Sequence, residues 1–279
     1  MYIAIFVAIV ILSVYPVFKI LKQLRRKKLR ALPVNPEWEK ILEKNLPIYL
    51  KLPDNLKTEL HEHIQVLLSE KNFEGCGGLE LNDEIRVTIA AQAGILLLNQ
   101  KTKYYPKLSS ILVYPSAYIA KNIRNRNGFV AEAQVRLGES WTTGTVVLSW
   151  DDIIRGAVDP KDGHNVVLHE FAHQLDQEDG VGDGTPVLPQ YSRYIAWAGV
   201  LGKEFDVLQK KASRGTKVLM DHYGATNPAE FFAVATETFF EKSRHLQRKH
   251  PELYDQLKDY YQMDPATWTK KKAPYKRKK

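Results

Sequence analysis

The sequence predicts an α+β domain that is mainly helical, contains a small β-sheet and is preceded by an N-terminal hydrophobic helix. Three observations support this. Segments with apolar residues at helical spacing recur along the chain, and alternating runs typical of strands are confined to residues 110–150. Residues 2–18 carry no charge. With 279 residues, of which 44% are hydrophobic, the chain is long enough to bury a sizeable core.

The uncharged N-terminal run is the first element. Ile20 and Leu21 extend it if Lys19 reaches the interface with its charged end, and roughly 17 residues is the lower limit for a membrane-spanning helix. A cleaved signal peptide would carry its positive charge before the run, whereas here the charge follows it. A buried core helix would rarely lack polar residues over four turns. The sequence therefore predicts a transmembrane anchor at residues 1–21.

The formal net charge of +8 is concentrated at the two ends. Seven basic residues lie between Lys19 and Arg30 and seven more between Lys270 and Lys279, without an acidic residue in either cluster. The chain between them is acidic, which argues against a nucleic-acid-binding domain with a basic face. Basic residues beside an anchor stay on the cytoplasmic side. We therefore expect a single-pass protein of the inner (cytoplasmic) membrane, contacting it through residues 2–21 and the basic flank, with its catalytic domain facing the cytoplasm.

Four segments follow from this pattern. Residues 1–21 are the anchor, 22–53 a basic juxtamembrane segment and proline-broken linker, 54–268 the folded domain, and 269–279 a basic tail. Within the domain we expect helices at residues 54–70, 83–98 (capped by Asp83) and 191–212, and strands at residues 110–114, 129–135 and 145–150. His61 and His63 are two apart on a predicted helix, so they cannot share a metal there, and both are predicted to be surface residues.

The most informative motif is His-Glu-x-x-His at residues 169–173. Histidines four apart lie on one face of a helix, where two imidazoles can bind one zinc ion and the glutamate between them can reach a metal-bound water. Val167, Leu168, Phe171 and Leu175 form an apolar stripe that predicts this helix, with Asn165 as its N-cap. The motif predicts His169 and His173 as zinc ligands and Glu170 as the general base of a hydrolase. The single cysteine excludes an internal disulfide framework and a cysteine-based zinc ribbon.

A catalytic zinc usually has a third protein ligand. The candidates are Glu230 and Glu237, which lie on one face of a helix that Asn227 and Pro228 begin. Glu230 also has an alternative explanation, since it occupies the last position of a capping box. Spacing alone does not choose between the two glutamates. Tyr223, shortly before this helix, is a candidate donor to the oxyanion that forms during hydrolysis. Residues 138–141 could form the edge of a substrate cleft or belong to an ordinary small sheet.

Several motifs in the same order resemble the MtfA family of zinc metallopeptidases. They are residues 89–93, 138–141 with 146–150, 163–176 and 227–234, within a resemblance that covers roughly residues 34–268. The family is similar in its active-site layout to the catalytic domain of anthrax lethal factor. The resemblance implies a zincin-like fold with His169, His173 and Glu230 as zinc ligands. It also implies Glu170 as general base and Tyr223 as oxyanion stabiliser, and leaves Glu237 to support the ligands.

The resemblance further implies a zinc-dependent, aminopeptidase-like enzyme that cleaves a peptide or protein substrate. Some family members are linked to binding a repressor that controls glucose-uptake genes, so a regulatory protein partner is a further expectation. The N-terminal hydrophobic run departs from the soluble members of the family and puts a cytosolic repressor in doubt. Two alternatives stay open: a zinc-containing regulatory protein that sequesters a partner, and a zinc hydrolase that acts on something other than peptides.

Overall fold

The computed structural model describes residues 2–116, 118–120, 134–136, 138–141, 144–159 and 162–268, with side chains described for 16–116, 144–159 and 162–268. The helices of these residues are α1 (Tyr2–Arg30), α2 (Pro36–Asn45), α3 (Asp54–Glu70), α4 (Asp83–Ile95), α5 (Trp150–Val158), α6 (Val166–Asp176), α7 (Tyr191–Ala212), α8 (Pro228–Glu241), α9 (Ser243–Lys249) and α10 (Pro251–Tyr261). The strands are β1 (Asn72–Gly75), β2 (Ser110–Tyr114), β3 (Tyr118–Ala120), β4 (Gln134–Arg136), β5 (Gly138–Trp141) and β6 (Thr145–Ser149). The predicted mainly helical α+β class is confirmed.

The main sheet has four strands in the order β1-β2-β6-β5. The first three are parallel, and β5 runs antiparallel to β6, with Gly138 opposite Leu148 and Trp141 opposite Thr145. Strand β5 therefore lies at an edge of the sheet. A separate pair, β3 and β4, is antiparallel. Most of the strand predicted at residues 129–135 lies outside the described residues, and β4 begins at its end.

The core lies between the parallel strands and helices α4, α6 and α8. Helix α4 is buried on nearly all sides, as its continuous apolar sequence predicts. Its N-cap is Asn82, whose side-chain oxygen accepts a hydrogen bond from the Ile85 N–H at 3.0 Å. The cap was predicted one residue later, at Asp83, which is instead the first helical residue. Leu42, Leu46 and Tyr49, from the predicted linker, are buried in the same core, and the boundaries of the four segments stay a prediction.

The structure of the N-terminal helix disagrees with the predicted membrane anchor. Helix α1 runs without a break from the uncharged residues into the basic ones, and its second half binds α3. Arg26 donates two hydrogen bonds of 2.7 Å to the Glu70 carboxylate, and Arg30 pairs with Glu62 at 2.6 Å. Among the residues that the structure describes, no helix combines the length and the apolar character that crossing a bilayer requires.

The prediction of an anchor at residues 1–21, with a single-pass location in the inner membrane and a catalytic domain facing the cytoplasm, is therefore wrong. The same finding leaves the predicted membrane contact of residues 2–21 and the basic flank without support. The prediction treated the uncharged run as an element of its own. In the structure that run is the first part of a longer helix, whose basic part is held by carboxylates of α3.

Helix α3 also corrects the prediction for its two histidines. His63 is 2% exposed, with Nδ1 3.0 Å from the Tyr104 hydroxyl and Nε2 3.4 Å from Glu59. His61 is half-buried, with Nε2 3.0 Å from the Tyr49 hydroxyl. Helical spacing places His61 outside the apolar stripe of α3, but it places His63 next to Leu60 and Leu67 on the buried side. The prediction that His63 is a surface residue was therefore wrong on the local pattern as well.

Candidate metal centre

Helix α6 carries the His-Glu-x-x-His motif, and the sequence determines its position in two ways. The Asn165 side chain accepts a hydrogen bond from the Leu168 N–H at 3.0 Å and so begins the helix, as predicted. Val167, Leu168 and Phe171 are at most 2% exposed and fix one face of α6 in the core. His169 and His173 consequently share the other side, where their side chains are 14% and 11% exposed.

Helix α8 brings the third group. Its N-cap, Asn227, accepts a hydrogen bond from the backbone N–H of Glu230 at 2.9 Å, and Pro228 is the first helical residue. The Glu230 carboxylate, in contrast, lies against the two histidines. One of its oxygens is 2.9 Å from His169 Nε2 and 3.3 Å from His173 Nε2. The side chain thus faces the motif, although capping alone would account for a glutamate at this position.

The three donor atoms fit a metal ion. The two Nε2 atoms are 3.2 Å apart, and both lie within 3.3 Å of the same Glu230 oxygen. Ligand atoms at 2.0–2.1 Å from a tetrahedral zinc lie roughly 3.3 Å from one another. Two imidazole nitrogens and one carboxylate oxygen are also a donor set that zinc accepts. Of the residues that the structure describes, His169, His173 and Glu230 are the group able to hold a metal ion.

Glu237 lies on the other side of the His169 ring. One of its oxygens is 2.7 Å from His169 Nδ1, and the other accepts a hydrogen bond from the Asn165 backbone N–H at 2.5 Å. A proton on Nδ1 that is held by Glu237 leaves Nε2 free to coordinate. The sequence left Glu230 and Glu237 as alternatives. In the structure they contact different nitrogens of one imidazole, so both belong to the site.

These contacts shift the pKa values of His169 and Glu230. Burial by itself would lower the pKa of His169, but the hydrogen bonds to Glu230 and Glu237 raise it well above the ordinary value. Burial would raise the pKa of Glu230, yet the hydrogen bonds to His169 and His173 lower it to about 2. The two carboxylates therefore favour the protonated form of His169, with which a metal ion would compete.

Glu170 and Tyr223 complete the set of predicted residues. Glu170 is 5% exposed, and its charge is among the causes that raise the pKa of His169. Tyr223 lies in the 3-10 turn His222–Ala225, immediately before α8, and is 56% exposed. Its ring centroid is 6.0 Å from that of His169. Glu170 is thus buried near His169, whereas Tyr223 lies beside His169 at the surface.

Sequence reasoning missed two supports of this centre. Asn165 was predicted only as a cap, but its backbone N–H also holds Glu237. The second support is the loop after α6, in which Gly184 has a φ of +84°. A Cβ atom at this position would lie 2.3 Å from the carbonyl oxygen of Pro228, so only glycine fits against the start of α8. A Gly- and Asp-rich loop directly after a ligand helix is the sequence signal for such a contact.

Two histidines and a glutamate, presented by two packed helices, define a metal centre of the metallopeptidase type. The family model of the glucose-regulated metallo-peptidase M90 matches residues 21–262, which is most of the chain. The chain belongs to this family, and the resemblance to the MtfA family is confirmed. The match begins at residue 21, after the uncharged N-terminal run of residues 2–18.

Individual relatives extend over the same region. The chain is 43% identical over 244 residues to a protein of Synechocystis sp. described as uncharacterized, covering 86% of this chain and 89% of the relative. It is 32% identical over 240 residues to Mlc titration factor A of Yersinia pestis, covering 84% of this chain and 87% of the relative. The Mlc titration factor A of Yersinia pseudotuberculosis matches to the same extent.

Proposed function

We propose that the protein is a zinc-dependent peptidase that hydrolyses peptide bonds with His169, His173 and Glu230 as zinc ligands. The observation that carries the proposal is the convergence of three donor atoms within 3.3 Å of one another. Membership of the M90 family supports peptidase chemistry at this centre. The position of Glu237 supports the same proposal, because a carboxylate on the outer nitrogen of a ligand histidine is typical of zinc sites.

The residues around the ligands supply the acid–base steps. Bound zinc would act as a Lewis acid, lowering the pKa of a coordinated water and polarising the scissile carbonyl. In this proposal the Glu170 carboxylate takes a proton from the attacking water and later gives it to the leaving amine. Tyr223 donates a hydrogen bond from its hydroxyl to the oxyanion as negative charge develops there. Its exposed position beside His169 makes it accessible to a substrate that reaches the histidines.

The proposed binding site for the substrate backbone is strand β5. This strand forms an edge of the main sheet, and α6 packs against it. An edge strand offers unpaired backbone N–H and C=O groups, to which an extended peptide adds as a further strand. We propose that β5 aligns the substrate along the metal centre. An aminopeptidase would in addition require a free substrate amine, so N-terminally blocked and unblocked peptides of one sequence would distinguish exopeptidase from endopeptidase action.

The deciding experiment compares zinc content and peptide hydrolysis of the full chain with those of Glu170→Gln. The substitution removes the proton acceptor but none of the proposed ligands, so we expect unchanged zinc and a loss of turnover of roughly 100- to 10,000-fold. Glu252→Gln is the matched control, because Glu252 is exposed and, among the described residues, pairs only with Lys203, at 3.1 Å. Hydrolysis by Glu170→Gln at the wild-type rate would reject the mechanism.

A second candidate function is a zinc-containing regulatory protein that sequesters a partner. It is favoured by the relatives whose name, Mlc titration factor A, describes the titration of Mlc by those proteins. The same experiment separates the two functions. Zinc in both variants with peptide hydrolysis in neither would favour sequestration, whereas hydrolysis by the wild type alone would favour the peptidase. If neither variant contains zinc, the assignment of the ligands is wrong.

A further inference from the structure

Asp176 is a buried carboxylate that the proposed reaction does not use. It is the last residue of α6, one helical turn after His173, and is 1% exposed. Residues three apart on a helix lie on the same face, and side chains point back toward the N-terminus. The charge of His173 acts on the Asp176 carboxylate, so the two side chains lie near each other. Burial raises the pKa of Asp176, while a hydrogen bond from Gly184 and the charge of His173 act in the opposite direction.

The two oxygens of Asp176 have different surroundings. Oδ2 accepts a hydrogen bond from the Gly184 N–H at 2.9 Å. Oδ1 is buried and has no hydrogen bond within the described ranges. The nearby Thr185 N–H lowers the pKa of the carboxylate but is hydrogen-bonded to Asp183 at 3.1 Å. A buried carboxylate oxygen without a donor destabilises the fold, so Oδ1 is an acceptor that a neighbouring donor would satisfy.

His173 is the residue that can supply it. Its contacts to His169 and Glu230 both use Nε2. When Nε2 of a histidine binds a metal, the proton resides on Nδ1 and needs an acceptor. His169 has that acceptor in Glu237, at 2.7 Å from its Nδ1. By analogy with His169, the Nδ1–H of His173 would need a carboxylate as its acceptor. Asp176 is the neighbouring carboxylate on α6.

We propose that Asp176 is the positioning residue for His173, with Oδ1 accepting the Nδ1–H of His173 when zinc is bound. This inference rests on the proposed zinc site and adds to it the residue that sets the tautomer and orientation of the second ligand. The other oxygen of Asp176 holds Gly184, which lies against Pro228 at the start of α8. One carboxylate thus connects a ligand on α6 with the loop that packs against the helix carrying Glu230.

The competing explanation is that Asp176 only holds the loop. Trp197 provides the comparison, because its Nε1–H donates to the Gly184 carbonyl at 3.1 Å without involving α6. Trp197→Phe loosens the loop and leaves His173 untouched. Asp176→Asn keeps an oxygen that can accept from Gly184, but its amide cannot replace the carboxylate as an acceptor for Nδ1–H. The two variants therefore separate loop anchoring from ligand positioning.

The experiment measures the zinc dissociation constant of the full chain by chelator competition, with the melting temperature of the metal-free protein alongside. We expect Asp176→Asn to weaken zinc binding by about 10- to 100-fold and to change the visible spectrum of the Co²⁺-substituted protein. Trp197→Phe should lower the melting temperature and keep the zinc affinity. Asp183→Asn is the matched control, since Asp183 is exposed in the same loop and bonds the Thr185 N–H at 3.1 Å.

Two outcomes would overturn the inference. One is an Asp176→Asn protein with wild-type zinc affinity and Co²⁺ spectrum. The other is equal weakening of zinc binding by Asp176→Asn and Trp197→Phe, which would assign Asp176 to the loop alone. If Asp176→Asn does not fold, nitrogen-15 NMR of zinc-loaded wild type decides, because the inference requires a protected Nδ1–H on His173. Zinc binding without peptide hydrolysis leaves the Asp176 assignment standing and rejects only the peptidase proposal, whereas absence of zinc binding rejects both.

Discussion

Two clusters of histidines in this molecule differ in their capacity to bind a metal ion. In the α3 cluster, His63 contacts the Tyr104 hydroxyl at 3.0 Å and Glu59 at 3.4 Å. In the α6 cluster, His169 lies between two carboxylates of α8, at 2.9 Å on Nε2 and 2.7 Å on Nδ1. Both histidines are inside the protein, so burial does not distinguish them. The difference is the number of metal-ligating groups that neighbouring elements direct at the ring.

The comparison shows what a motif needs in order to become a site. His61 and His63 make contacts with two separate tyrosines and do not meet. His169 and His173, four apart, meet at Nε2, and a second helix adds an oxygen to the same point. Spacing along one helix sets the first condition, and a carboxylate from a packed partner helix sets the second. Among the described helices, only α6 meets both conditions.

The largest effect is expected for Glu230→Gln, which should remove the metal binding that distinguishes the α6 cluster from the α3 cluster. The variant keeps the shape of the side chain but removes the charged ligand. If the zinc affinity is shared among the ligands, each accounts for about 3 kcal/mol, so the affinity should fall more than roughly 100-fold and hydrolysis with it. Equilibrium dialysis with zinc measures the loss. Glu59→Gln, next to His63, is the control and should retain wild-type zinc binding.

Tyr223→Phe tests whether the α6 cluster is catalytic rather than only metal-binding. The hydroxyl is proposed to act on the substrate oxyanion, so turnover should fall by roughly 100-fold while zinc content stays constant. Steady-state kinetics should show the loss in kcat more than in KM. Unchanged kcat would remove Tyr223 from the mechanism without affecting the ligand assignment.

Glu237→Gln sharpens the comparison at the outer nitrogen of His169. A neutral amide holds the imidazole less firmly and no longer stabilises the Nδ1 proton, so zinc should bind about 10- to 100-fold more weakly. The same dialysis measurement applies. A variant that binds zinc as tightly as the wild type would mean that Glu237 supports the fold of α6 through Asn165 and not the ligand.

Tyr104→Phe addresses the other cluster and should have the smallest effect. It removes the hydroxyl that contacts His63 Nδ1, which leaves a buried nitrogen without its partner and costs about 1–3 kcal/mol of stability. Thermal unfolding measures this loss. Zinc binding should be unaffected, and a change in it would contradict the independence of the two clusters.

Local sequence patterns predicted the elements of the site but not their partners. The α6 helix, its Asn165 cap and its apolar stripe are properties of adjacent residues, so all three could be predicted. Glu230 and Glu237 share one face of α8, and only the packing of α8 on α6 determines which nitrogen each one meets. The burial of His63 agrees with its helical spacing to Leu60 and Leu67, so it could have been predicted. Its contact with Tyr104, 41 residues away, could not.

The N-terminal run shows a different limit. Hydropathy describes a segment by its own residues, and residues 2–18 are uncharged. The same helix continues to Arg30, and its later residues bind carboxylates of α3. These ion pairs link residues up to 44 positions apart in sequence, which a sliding window does not include. The prediction therefore assigned a boundary where the structure has a continuous helix.

A metal ion bound by the proposed ligands would also reduce the conformational entropy of the unfolded chain. His169 and Glu230 are 61 residues apart, and α7 lies between them. A metal ion that joins them closes a long loop and acts as a reversible cross-link. By the chain-entropy relation for cross-links, closing a loop of this length restricts the unfolded chain by about 4 kcal/mol. A chelator would remove this restriction and lower the stability of the fold, so metal supply would affect how long the folded molecule survives as well as its proposed hydrolytic activity.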